Sequence, residues 1–170
     1  YSYIVEEQRL EVYGPIPDHK FIWDVHASED GKVYMATYQK GEAGKVYEFD
    51  IASKSFKDLG GMQEGAEYVR GLGLDGNYLY AGVGGVKGSV VKYNLITGEK
   101  ESFTVENPPT MFSDIMVVQD KILAGIGTTV YVFDKETYAN LDIVKTDGKM
   151  VSPPSPYDEA LVYYKVNKTE

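Results

Sequence analysis

Four places in this 170-residue chain set a polar or charged side chain at the head of a short apolar run. They are Ile22-Trp23-Asp24-Val25-His26, Tyr68-Val69-Arg70-Gly71, Phe112-Ser113-Asp114-Ile115 and Met150-Val151-Ser152-Pro153. Drawn together, these residues would suit a polar ligand. Arg70 can grip an anionic group through its fork of donors. Trp23 offers a stacking face, and His26 can move a proton near neutral pH. Asp24 and Asp114 add two carboxylates, and Ser152 stands at the fourth place. A plainer reading competes: Arg70 neutralises Asp24 and Asp114, His26 is a satisfied structural residue, and Trp23 is core.

Other chemistry is narrowed by composition. The absence of cysteine removes disulfides, thiolate catalysis and Cys-type metal sites. With only His19 and His26, a His-rich metal site is excluded; no metal and no cofactor are assigned. Gly82-Val83-Gly84-Gly85-Val86-Lys87-Gly88 lacks both phosphate-loop spacings and no helix follows it, so it reads as a hairpin loop. Asp30, Asp75, Asp120 and Asp158 sit in turns, where Asp bonds its own backbone. A net charge of −9 argues against a nucleic-acid partner, whose phosphates call for a basic face. It also argues against docking on an anionic membrane. No apolar run reaches the roughly 18 residues of a spanning helix. The chain starts at Tyr1 rather than Met, which suggests a mature or excised piece.

The elements that would carry the site are strands. Fifteen Tyr and eighteen Gly favour strands and tight turns over helices. Residues 67–105 hold four apolar segments parted by Asp75-Gly76, the Gly84–Gly88 cluster and Thr97-Gly98, which predicts a four-stranded antiparallel meander. The pattern recurs over 21–60 and 111–145. Asp30-Gly31-Lys32-Val33-Tyr34-Met35-Ala36 matches Asp75-Gly76-Asn77-Tyr78-Leu79-Tyr80-Ala81, and Ala81-Gly82 matches Ala124-Gly125. Phe49-Asp50, Tyr93-Asn94 and Phe133-Asp134 close the third strand of each unit. Residues 1–16 supply two further strands, and 150–166 have room for two more, beginning again at Asp158. Tyr34, Tyr80, Tyr131, Tyr163 and Tyr164 fall at strand positions suited to packing between units.

A period of 40–45 residues with four strands per repeat resembles the β-propeller superfamily, distantly its WD-repeat, YVTN and quinoprotein-like blades. The Gly-His signature of WD repeats is absent, and Trp-Asp does not recur at the ends of the units, Trp23-Asp24 being the single such dipeptide. The resemblance covers nearly the whole chain and implies an all-β fold of about four blade equivalents. Three blades would span 21–60, 67–105 and 111–145, with a composite blade of 1–16 and 150–166. They would form either a closed small ring or a segment of a larger propeller. Stacking blades face to face covers the apolar faces that a lone meander leaves bare.

In such a fold the innermost strands line a channel, and Trp23, Asp24, His26, Arg70, Asp114 and Ser152 gather at its mouth. The first functional expectation is a non-catalytic binding or scaffold domain for a carbohydrate or protein partner. By resemblance, an extracellular bacterial setting is expected. The second is a propeller-type polysaccharide lyase or glycoside hydrolase acting on a polar or anionic sugar. The third is a structural segment whose partner is the remainder of a larger ring or another copy of the chain.

Overall fold

The computed structural model describes residues 1–16 and 21–145, and these form strands and turns without a helix. The first two strands are β1 (Ser2–Ile4) and β2 (Arg9–Glu11). The first unit comprises β3 (Phe21–Ala27), β4 (Lys32–Tyr38), β5 (Lys45–Asp50) and β6 (Ser55–Gly61). The second comprises β7 (Tyr68–Asp75), β8 (Tyr78–Gly84), β9 (Ser89–Asn94) and β10 (Lys100–Phe103). The third comprises β11 (Asp114–Val118), β12 (Lys121–Ile126), β13 (Thr129–Asp134) and β14 (Asn140–Lys145). Inside each unit every neighbouring pair is antiparallel. Units one and two share a single bridge, Tyr38 to Tyr68.

Alternation of side chains across the pleat explains how the units stack. Along β8, Leu79, Ala81 and Val83 point into a core shared with Tyr34, Ala36 and Val46 of the first unit. The intervening Tyr80 points the other way, into a core shared with Ile115, Ile122, Ala124 and Phe133 of the third. The second unit is therefore buried on both faces, and its central strands need apolar residues at nearly every position. Tyr34 and Tyr80 lie in these two cores and Tyr131 packs against the second, as expected of residues between units. Burial suppresses the ionisation of both buried phenols, pushing the pKa of Tyr80 up to about 12.

Close approach between units depends on glycine. A Cβ on Gly71 would stand 2.6 Å from the Ser113 carbonyl oxygen, and one on Gly82 2.6 Å from that of Phe112. Small residues there let the inner strand of the third unit lie directly against the second.

Each unit also closes its outer hairpin by one device. Asp50 accepts the Ser53 N–H at 2.7 Å, Asn94 the Thr97 N–H at 3.1 Å, and Asp134 the Thr137 N–H at 2.8 Å. Four residues after each stands a left-handed residue: Lys54 at φ 57°, Gly98 at 76° and Tyr138 at 57°. The sequence match at the ends of the third strands is thus a repeated Asx turn.

The predicted composite blade is described only in its first half. The hairpin β1–β2 is a separate two-stranded sheet, and residues 150–166 lie outside the described residues.

Candidate functional site

The innermost strands β3, β7 and β11 run side by side, and two of them bulge. Register shifts between Ile22 and Asp24 on β3, and between Val69 and Gly71 on β7. The unpaired residues are Trp23 and Arg70. A bulge re-aims the side chain it leaves out of the ladder, and here both are turned toward each other. The Arg70 guanidinium lies 3.7 Å from the centre of the Trp23 ring. Arg70 is half-buried, and among the described residues no ion pair or hydrogen bond of its guanidinium is found. The ring holds the plane of the guanidinium in place.

Asp24 is committed to the scaffold. One oxygen accepts the Leu72 N–H at 2.7 Å and so ties β3 to β7; the other accepts the N–H of Val25 at 2.8 Å. His26 Nε2 stands 3.5 Å from the Leu72-bonded oxygen. Asp114 accepts a hydrogen bond from the Ser113 hydroxyl at 2.9 Å. Burial raises its carboxyl above the ordinary value, and the nearby Asp24 charge adds to this. The Ser113 hydroxyl and the Arg70 charge pull the other way.

The structure thus brings Trp23, Asp24, His26, Arg70 and Asp114 into one neighbourhood, while Ser152 lies outside the described residues. Ala36, Ala81 and Ala124 occupy matched positions of the second strands, yet Asp24 pairs with Ala36 and Asp114 with Gly125. Arg70 pairs with nothing, because the bulge takes it out of register. Measured against those alanines, Asp24, Arg70 and Asp114 sit at slightly different registers of the three inner strands. Neutralisation of Asp24 and Asp114 by direct pairing with Arg70 is not what the side chains do; stacking on Trp23 takes its place.

Sequence reasoning left out the neighbours of Trp23. Phe21 lies 6.4 Å from Trp23 and 6.1 Å from Tyr38, measured between ring centres. Tyr68 lies 6.4 Å from Trp23 and stacks on Tyr38 at 4.4 Å. Phe21 and Tyr68 open inner strands and Tyr38 ends a second strand, so an antiparallel meander must bring all three to the same rim. Phe21 is 53% and Trp23 42% exposed. A shallow groove of about 200 Å³ lies elsewhere, lined by Tyr78, Lys92, Asn94, Glu99, Lys100 and Glu101. None of the predicted site residues lines it. Among the described residues no group of three or more His, Asp or Glu could hold a metal ion.

No protein-family model matches the chain, and no curated protein does. Among solved structures it is similar to a chain in the crystal structure of a nidogen/laminin complex, with a TM-score of 0.55 and 12% identity. That similarity covers 68% of this chain and 43% of the other. It is also similar to a chain in the crystal structure of the mitotic checkpoint complex, with a TM-score of 0.59 and 15% identity, covering 84% and 47%. The fold is that of a β-propeller. The three units are its blades, and the chain spans less than half the length of either of these structures. At such identity the likeness carries the architecture and no residue-level role.

Proposed function

We propose that this propeller is a non-catalytic binding domain that engages a protein partner through the aromatic rim at the start of its inner strands. One observation carries the reading: Phe21, Trp23, Tyr38 and Tyr68 form a continuous aromatic row with Arg70 laid over Trp23. Trp, Tyr and Arg are the residue types that dominate binding energy at protein interfaces, and Trp23 and Phe21 are exposed. The two similar structures are both complexes by their descriptions, which favours a protein over other partners.

A carbohydrate is the alternative ligand for the same rim, since sugar rings also stack on aromatic faces. The lyase or hydrolase reading is weaker. Both Asp24 oxygens accept backbone N–H groups, which leaves that carboxylate poorly placed to act on a substrate. One comparison tests the proposal. Wild type, Trp23→Ala and Arg70→Ala are used as baits in extracts of the source cells, and a glycan array is probed in parallel. Partners held by wild type and lost by both folded variants support a protein-binding rim. Glycan binding that disappears in Arg70→Ala would move the reading to carbohydrate, and capture equal in all three baits would remove the rim from the function.

A further inference from the structure

The aromatic row of the rim does not stop at Tyr68. Phe21 pairs with Tyr38, Tyr38 with Tyr68, Tyr68 with Gly84, and Gly84 with Met111. Each step is one strand spacing, about 5 Å. One lateral row thus crosses β3, β4, β7 and β8 and reaches the approach to β11. The hairpin loop Gly85–Gly88 rises directly from it. That loop is rich in glycine, yet it is clamped. The Gly85 N–H donates to the Thr110 carbonyl at 3.1 Å, and the Gly88 N–H to that of Pro109 at 2.7 Å. The Thr104 hydroxyl donates to the Gly88 carbonyl at 2.7 Å. A Cβ on Gly84 would stand 2.1 Å from the Met111 Cβ, and one on Gly88 2.8 Å from the Met111 Cα. Glycine at both feet therefore lets residues 109–111 grip the loop. Between the feet, Val86 is 90% exposed and Lys87 is exposed beside it.

We propose that Val86 is a second anchor of the protein-binding surface, entering an apolar socket of the partner whose lip carries a carboxylate for Lys87. The inference rests on the aromatic rim being that surface. Three observations carry it. Val86 stands one strand across from Tyr68 and two residues along, roughly 10 Å away by strand spacing and rise. A partner patch of ordinary size, about 800 Å², covers both. The clamped backbone leaves little conformational entropy to lose on binding, which favours affinity. The chemistry of the tip selects a protein: two methyl groups offer a sugar neither a stacking plane nor a hydrogen bond, whereas an apolar socket removes them from water. Lys87 meets a carboxylate at the lip, where a charge pair steers docking. Ile96 supplies the contrast. It is also an apolar loop residue, 73% exposed, but it follows β9 where Val86 precedes it. The six residues of β9 hold the two roughly 20 Å apart, at opposite ends of the blade.

The test uses the full chain and, purified, the protein that wild type retains and Trp23→Ala loses. The chain has no cysteine, so a benzophenone attached to Val86→Cys or to Ile96→Cys marks one place each. A light-driven adduct with that protein is expected from position 86 and not from position 96. In titration calorimetry Val86→Asp should bind it at least about tenfold more weakly, and Ile96→Asp within about twofold of wild type. Melting temperatures should not move, since both side chains face solvent. Undiminished affinity of Val86→Asp overturns the proposal, with or without an adduct, and leaves the rim reading standing. Equal weakening by Ile96→Asp would trace the effect to added charge, and a loss with no adduct at 86 would place it elsewhere; each overturns the anchor alone. Retention that Trp23→Ala leaves unchanged, or no retained protein at all, removes the rim and the anchor together.

Discussion

Asp24 acts through hydrogen bonds, Arg70 through a ring face, and Asp114 through its burial, so three charged residues of one neighbourhood should answer substitution differently. Asp24 satisfies a backbone N–H on the neighbouring blade. Asp24→Ala should cost about 1–3 kcal/mol of unfolding free energy, while Asp24→Asn, which keeps an acceptor, should cost less. Urea unfolding of the two variants checks the order. Arg70 is expected to be neutral for folding and decisive for binding. Arg70→Lys replaces a plane with a point charge, so partner affinity should fall with little change in melting temperature. Asp114 carries an unusual sign. Its folded carboxyl titrates above the unfolded value of 3.8, so the folded chain holds that proton more tightly. The stability this gives is present below 3.8 and is lost as pH rises through the raised folded value. Asp114→Asn should therefore hold or gain stability at neutral pH and remove that loss as pH rises above 3.8, as read by unfolding at a series of pH values. Asp50 and Asp134, both lowered chiefly by backbone hydrogen bonds, act in the opposite sense and lose stability as pH falls below 3.8.

At the scale of elements, the recurring outer hairpin and the tight blade contact dominate. Asp134 accepts the N–H groups of Glu136 and Thr137 and the Thr137 hydroxyl. Gly98 sits at φ 76°, a conformation an L side chain adopts at a cost of about 1 kcal/mol. Gly98→Ala should lower stability by about that amount, while Lys54→Gly, at the matching place, should relieve strain but forfeit the bond to Glu11. Gly71→Ala is a harsher change. The added carbon would meet backbone atoms of β11 and its approach, which cannot move as a flexible side chain could. A loss of about 1–3 kcal/mol is expected from overpacking. Thermal unfolding that left Gly71→Ala as stable as wild type would show that the second and third blades are not held so close.

For the whole molecule, stacking is the source of stability, since each blade alone would expose two apolar faces. Removing residues 1–16 takes Tyr13 and Ile16 from the face formed by Met35, Tyr47 and Phe49. That truncation should increase binding of a hydrophobic dye and lower the melting temperature, and an unchanged dye signal would mean the segment covers nothing in solution. The two cores between blades are built from residues far apart in sequence, so loss of one blade should destabilise its neighbours rather than leave them folded.

Period and turn chemistry were legible from residues alone. Apolar runs of five to eight positions, closed by Asp-Gly and Asx–Gly turns, determine antiparallel meanders, and their recurrence determines blades that must stack. The reason is local: side-chain alternation and turn geometry act over neighbouring residues. The neighbourhood of Trp23, Asp24, His26, Arg70 and Asp114 was legible to the same extent, because all five stand on innermost strands. Their partners were not. A single-residue bulge on β3 and another on β7 left Trp23 and Arg70 unpaired and turned them face to face. A bulge is decided by how two strands and the next blade fit together, and no run of adjacent residues encodes that fit. The aromatic rim of Phe21, Tyr38 and Tyr68 arose in the same way, from strand ends that only tertiary packing brings together.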